Sequence, residues 1–254
     1  AEADMVSWDT ASVTRAAAAY YRKTRTEFSG YKQEEKPAKS WNYSRLNGTT
    51  QLSYTEYIYN AAGEDFDLDS ETLDYTMTYR NDTKQRQLSK TVFNTRLGAG
   101  YEIADYTLGY NSSNQVKSTQ VFFYNDKRAS NTAVLESTAM DTSVSFDGDM
   151  SSRLTSFTDL ESTKVMGREQ VTYYQGASKE ELAHRSVLYD KEDGATPKET
   201  LVYLYGTAKL HAGDPGVSED TGLRGQVSIR DIDLTKAEAD MVSWDTASVT
   251  RAAA

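Results

Sequence analysis

The chain holds two histidines, His184 and His211, and no cysteine, which narrows its chemistry at once. Without thiols there is no disulfide, no thiolate metal site and no cysteine nucleophile. The histidines form no HxxxH pair, the spacing that sets two imidazoles on one face of a helix for a metal. His184 stands just before an alternating run and His211 beside Gly213 and Pro215, so both are expected to be exposed structural residues. A Ser-His-Asp arrangement is defined by geometry rather than sequence, but no G-x-S-x-G elbow is present to present a serine. Gly98-Ala99-Gly100 is too short for a phosphate loop and lacks the Lys-Ser/Thr that would follow, so it reads as a turn. In Glu64-Asp65-Phe66-Asp67-Leu68-Asp69, three carboxylates, Asp65, Asp67 and Asp69, fall on one face of an extended strand. Phe146-Asp147-Gly148-Asp149 adds a short acidic turn. Hard oxygen ligands at such spacing can hold Ca2+, yet a solvated face or a charge-protected edge strand explains them equally simply and is the reading adopted. A carboxylate pair for glycoside hydrolysis could be assembled from any acidic chain. No catalytic residue, cofactor or metal is therefore expected, and the chain reads as a non-enzyme.

The bulk properties point the same way. The 254 residues carry a net charge of -10, and the isoelectric point is about 4.8. That sign opposes binding to nucleic acid or to an anionic membrane surface. No apolar run approaches the roughly 18 residues that span a bilayer. Tyrosine is unusually frequent, 18 against 7 Phe, and only 3 Pro occur. A tyrosine ring lies well on a half-covered sheet while its hydroxyl stays at a wet edge.

These residues must be positioned by elements, and the pattern between 51 and 210 is that of strands. LSYTEYIYN (52–60), LDYTMTYRN (73–81), YTLGYN (106–111), STQVFFYND (118–126), REQVTYYQG (168–176), HRSVLYDKEDG (184–194) and KETLVYLYG (198–206) alternate with period two. The strands of this region all finish at an aromatic residue followed by a turn former: Tyr59-Asn60, Tyr79-Arg80-Asn81, Phe93-Asn94, Tyr110-Asn111, Tyr124-Asn125, Tyr174-Gln175-Gly176, Tyr189-Asp190 and Tyr205-Gly206. The long gap between 124 and 174 hides Phe146-Asp147. One strand plus one turn fits the usual step of about 15 residues, which predicts a β-meander. The recurring tyrosines are expected to be packing residues, with stacking on sugar rings the alternative.

Residues 1–18 (AEADMVSWDTASVTRAAA) recur letter for letter as 237–254. An identity of that length signals a repeat architecture whose unit completes its packing on a neighbour. Three origins fit: one period of a tandem array with the start of the next, an engineered copy completing the fold in cis, or a natural duplication confined to the ends. The absence of an initiator Met predicts an excerpt from something longer. Val6, Val13 and Tyr20 at a spacing of seven, with Ala16 to Ala19, predict a junction helix over 1–25. Residues 26–50, mixed in charge and containing Pro37, predict a linker. In 211–236 a turn region leads to a closing strand, QVSIRDIDL. Thr235 and Glu238 then form a capping box at the start of a helix that straddles the junction. Residues 237–254 are expected to begin the next repeat.

Tyr189-Asp190-Lys191-Glu192-Asp193-Gly194, Tyr59-Asn60-Ala61-Ala62-Gly63 and Tyr110-Asn111-Ser112-Ser113-Asn114 resemble the tyrosine-aspartate (YD) repeats of the Rhs and teneurin families. The likeness runs over about 51–206, with Asn usually replacing Asp and without the Gly-Arg-Leu that often follows. The resemblance implies a secreted or surface-exposed bacterial β-repeat protein.

The expectation is thus a mainly β chain: an extended antiparallel β-meander, solenoid-like repeat body with an α-helix at the repeat junction. It would act as a structural unit of an extracellular fibre or surface filament, packing end to end on adjacent copies of the same repeat. Junction contacts are expected from Met5, Val6, Trp8, Val13 and Tyr20, and from Met241, Val242, Trp244 and Val249. A surface adhesin or carbohydrate-binding module that recognises glycan or a cell surface is the alternative. A donor-strand pilus subunit is a second.

Overall fold

The computed structural model describes residues 23–30, 35–44, 49–60, 71–152, 155–158 and 167–244, together with the backbone of 12–15 and 18–21. Strands dominate. β1 (Ser12–Arg15) and β2 (Ala18–Tyr21) form a small antiparallel hairpin, with Val13 opposite Tyr20. The remaining strands are β3 (Thr24–Ser29), β4 (Lys36–Tyr43), β5 (Gln51–Asn60), β6 (Thr72–Tyr79), β7 (Gln87–Asn94) and β8 (Ile103–Tyr110). They continue as β9 (Val116–Tyr124), β10 (Met140–Asp147), β11 (Arg168–Gln175), β12 (Leu182–Tyr189), β13 (Pro197–Tyr205) and β14 (Leu223–Arg230). One helix follows, α1 (Lys236–Asp240). From β3 to β14 the order in the sheet is the order in the chain: a 12-stranded antiparallel meander, not closed into a barrel.

The expected aromatic-plus-turn endings coincide with the strand ends. β5, β7, β8, β9, β12 and β13 stop at Asn60, Asn94, Tyr110, Tyr124, Tyr189 and Tyr205. Phe146-Asp147 closes β10. Two expectations are corrected. The junction helix over 1–25 is replaced, in its described residues, by β1, β2 and the start of β3. The β-branched and aromatic residues Val13, Thr14, Tyr20 and Tyr21 lose rotamer freedom in a helix but suit a pleated surface, and they outweigh the alanines. The linker over 26–50 is the hairpin β3–β4 in its described part. Pro37 is accommodated there because it stands where the register shifts, opposite Phe28, and a residue that cannot donate to the ladder is tolerated at such a bulge.

The strands fall into two compact units, 1–102 with 109–115 and 103–108 with 116–254. In the first, every residue of β6 and β7 is half-buried and none fully. Its core is an aromatic cluster of Trp41, Tyr43 and Tyr54, with Tyr79 packed against it. Ring centroids lie 5.2 Å apart for Trp41–Tyr54 and 6.1 Å for Tyr54–Tyr79. Cross-strand pairs supply the rest: Thr55 and Thr78 share a 3.0 Å hydroxyl hydrogen bond, and the Lys90 ammonium lies 4.0 Å from the Tyr75 ring centre. Such pairs are the unit of stabilisation in a thinly covered sheet.

The second unit has a true core. Val121, Val144, Val171 and Val187 face one another across β9, β10, β11 and β12 in direct register, and all four are fully buried. Because side chains alternate along a strand, the opposite face carries Ser143, Thr172 and Ser186. These are joined into hydroxyl chains: Gln120 donates to Ser143, which bonds Tyr174, while Thr172, Ser186 and the Tyr203 hydroxyl link in turn. One face is apolar and covered. The other is polar and internally satisfied.

Candidate docking site of the copied stretch

The covering of the apolar face is built twice by the same local sequence. Lys117, Thr119, Val121 and Tyr124 of β9 correspond to Lys198, Thr200, Val202 and Tyr205 of β13, an offset of 81 positions (117 to 198). Arg128-Ala129 then corresponds to His211-Ala212, and Leu135 to Met140 corresponds to Ser218 to Leu223, at an offset of 83 (128 to 211). The two extra residues lie in the turn after Tyr205, which pairs with Leu210 where Tyr124 pairs with Lys127.

The hydrogen bonds repeat as well. Thr119 Oγ1 donates to the Gly148 carbonyl at 2.7 Å and accepts from Met150 N at 3.0 Å. Thr200 Oγ1 donates to the Ile232 carbonyl at 2.5 Å and accepts from Leu234 N at 3.4 Å. In both copies a buried strand threonine thus fastens a strap that leaves the next strand and folds back over the sheet. The tyrosine that ends the strand is a second fastener. Tyr124 donates to the Ala104 carbonyl at 2.8 Å and Tyr205 to the Ala183 carbonyl at 2.7 Å, each acceptor being the second residue of the preceding strand. Tyr59 does the same to Pro37 of β4 at 3.1 Å. Burial, reinforced by neighbouring acidic and phenolic groups, pushes the hydroxyls of Tyr59 and Tyr205 up to about 12, so they remain donors. These rings are packing residues, as expected.

What fills the two slots differs. Above β9 and β10 lie Met150 and Phe157, the latter 5.8 Å from the Phe123 ring and 5.9 Å from Tyr173. Above β13 and β14 lie Leu234, Ala239 and Val242, against Val202, Val227 and Ile229. Ala239 and Val242 belong to the second copy of the duplicated stretch. The segment enters through the expected capping box: Glu238 N donates to Thr235 Oγ1, and the Glu238 carboxylate accepts from Thr235 N at 2.8 Å. Two orphan backbone donors are satisfied, so five residues suffice for a helical turn that presents Ala239 inward. Beyond it Trp244 lies on β14 at Gly225, where an added Cβ would stand 2.1 Å from the ring. The Lys209 ammonium sits 3.9 Å from the same ring centre.

The residues next to each slot also differ in chemistry. Asp105, directly after Ala104, binds Arg128 through two 2.7 Å hydrogen bonds, and Arg128 reaches the strap at the Ser151 carbonyl, 3.2 Å away. The corresponding places in the second slot are His184, directly after Ala183, and His211. Their ring centres lie 5.8 Å apart. His184 reaches its strap through Asp240, with 2.7 Å between Nε2 and Oδ1, and Lys236 holds the other carboxylate oxygen at 2.7 Å. The expectation of exposed histidines is overturned: His184 is 0 % exposed and His211 9 %. His184 is the extra residue of a bulge, skipped between the pairs Tyr173–Arg185 and Tyr174–Ala183, which is what turns it toward the strap.

The electrostatics follow from that burial. Burial favours a protonated Asp240, but hydrogen bonds from Lys236 and His184 outweigh it and hold the carboxyl below the usual range. With Asp240 ionised, His184 Nε2 must carry the proton. Nδ1 is then the bare nitrogen, buried without a partner. Protonating it would place a charge there with no acceptor, and desolvation accordingly lowers the pKa of His184 despite the opposing pull of Asp240. Among the described residues neither nitrogen of His184 meets a hydroxyl.

Of the expected junction residues, Val242 is buried (2 % exposed), while Trp244 lies against Gly225 with 46 % of its surface exposed. Met241, expected at the contact, is the C-cap residue of α1 and is 70 % exposed. Val13 and Tyr20 pair in the hairpin β1–β2. Met5, Val6, Trp8 and Val249 lie outside the described residues, as do Asp65, Asp67 and Asp69. Asp149 accepts from Ser151 N and Oγ. Among the described residues no group of three or more acidic or histidine side chains could hold a metal ion, and no helix is long and apolar enough to cross a membrane. Leu234, Ala239, Asp240, Thr200 and Gly225 complete the site and were not singled out by sequence. The signal for Thr200 was its match to Thr119 at an offset of 81, visible only when the chain is aligned with itself, and Ala239 and Asp240 lie in the duplicated stretch. No family model and no curated protein matches the chain.

Proposed function

We propose that the chain is a structural repeat unit of a long extracellular or cell-surface bacterial filament, joined end to end through the duplicated stretch. The observation that carries this reading is the filling of the β13–β14 slot by residues 237–242, the opening letters of the repeated sequence. A sheet that grows strand by strand and ends in a slot completed by the first residues of the next period has the grammar of an array. Each unit buries apolar surface on its neighbour, and stability accumulates along the chain. The loose likeness to YD repeats supports the same solenoid-like continuation. Commitment of the strand-end tyrosine hydroxyls to backbone carbonyls weighs against glycan stacking as their purpose. The helical turn over 237–240 weighs against a donor strand. No catalytic role is assigned.

The test compares one 236-residue period with two in tandem. The tandem, with its one filled joint, is expected to melt higher, at about 2–4 °C for each kcal/mol the joint contributes. Equal melting temperatures would remove the joint from the reading.

A further inference from the structure

Residues 1–8 have the same sequence as the segment that fills the β13–β14 slot, so Ala3, Asp4, Val6 and Trp8 match Ala239, Asp240, Val242 and Trp244. The slot recognises side chains in a definite order. It offers a position where Ala239 is fully buried; a buried imidazole for the acid, His184 to Asp240; an apolar wall for Val242, made by Val202, Val227 and Ile229; and a glycine floor for the indole at Gly225. We infer that this slot is an interaction surface for a second copy of this chain, which enters with its own residues 1–8 when the resident segment is displaced.

The inference rests on the array reading above and names the partner of its joint. Its particular support is the contrast between the two slots. The filler above β9–β10 has no counterpart elsewhere in the chain, and its polar anchor is an Arg128–Asp105 pair supplied by the sheet and its loop. The filler above β13–β14 exists twice in the sequence, and its anchor is an acid carried by the filler itself. A plug that brings its own half of the contact is exchangeable with an identical plug from elsewhere. The resident copy holds the advantage of a high effective concentration, which an incoming copy lacks. Exchange therefore becomes visible when the resident plug is weakened. The resulting contact is head to tail: a chain that donates residues 1–8 still has its own slot to offer, so assembly continues as an open string.

The experiment uses the full chain and analytical ultracentrifugation over a wide concentration range. Wild type is expected to hold one mass. Val242→Asp, which puts a charge at a buried position of the resident plug only, is expected to shift to oligomers whose mass rises with concentration. Val6→Asp combined with Val242→Asp is expected to return to the monomer. A folded Val242→Asp chain that remains monomeric, or a double variant that still associates, overturns the inference. If Val242→Asp loses the circular dichroism of the sheet, the paired change Asp240→Ala with Trp244→Ala weakens the plug without burying a charge. A folded monomer from that variant is equally fatal. A tandem that gains stability while no separate chains associate would leave the joint standing and restrict it to one continuous chain.

Discussion

His184 shows how one residue type makes a packing contact depend on pH. The groups facing it are Asp240 and Lys236 from the strap, Arg185 beside it on β12 and His211 from the loop after β13. Burial lowers its pKa from the ordinary value of 6.5, so folding favours the neutral ring. Above about pH 6.5 both folded and unfolded chains hold it neutral, and its contribution is complete; as pH falls below that value the unfolded chain takes up a proton that the folded chain resists, and stability declines. Melting temperatures of wild type and His184→Asn measured from pH 7.5 to 5 are expected to show this as a loss confined to wild type, superimposed on whatever both share. A parallel decline in the two proteins would show that His184 is not the titrating group. The sequence announced the histidines but not their burial, since a bulge between β11 and β12 is invisible until register is known. The tyrosines were legible as turn-preceding strand ends, while their acceptor carbonyls, about twenty residues away, were not.

Among the elements, the short run from Thr235 to Trp244 is held by local rules and by a matched surface. The capping box could be read from Thr235 and Glu238 because its spacing is fixed by helix geometry alone. The hairpin β1–β2 and the pair β3–β4 were missed because alanines and a proline speak for helix and linker locally, whereas strand pairing is decided by distant partners. The duplicated β9–β10 and β13–β14 pieces escaped for another reason: they share positions such as Thr119/Thr200 and Val121/Val202 but few consecutive letters. Gly225 tests the fit of strap to strand. Gly225→Ala would drive a methyl into the Trp244 ring, and an overpacked site of this kind costs about 1–3 kcal/mol. The expected result is a lower urea midpoint together with a red-shifted, more readily quenched indole emission. An unchanged emission spectrum would mean that Trp244 does not rest on β14 in solution.

At the scale of the whole molecule the two units differ in kind. One is held by half-buried cross-strand pairs in β6 and β7, the other by a fully buried valine ladder and its straps. Amide hydrogen exchange is expected to reflect this, with β6 and β7 exchanging through low-energy local openings and β10 to β12 only near global unfolding. Uniform protection across both sets would contradict the difference in packing. The meander order carries a consequence for the making of the protein. Since every sheet strand after β3 pairs with the one just before it, most contacts are close in sequence, and a chain of low contact order folds promptly. A ribosome would therefore release sheet in the order in which it is translated, each new strand finding its template already in place. The slot over β13 and β14 is the exception in time. It stands complete but only partly covered, by Leu234, until residues 237–244 emerge, so in a continuous array the beginning of each period would be the chaperone of the one before.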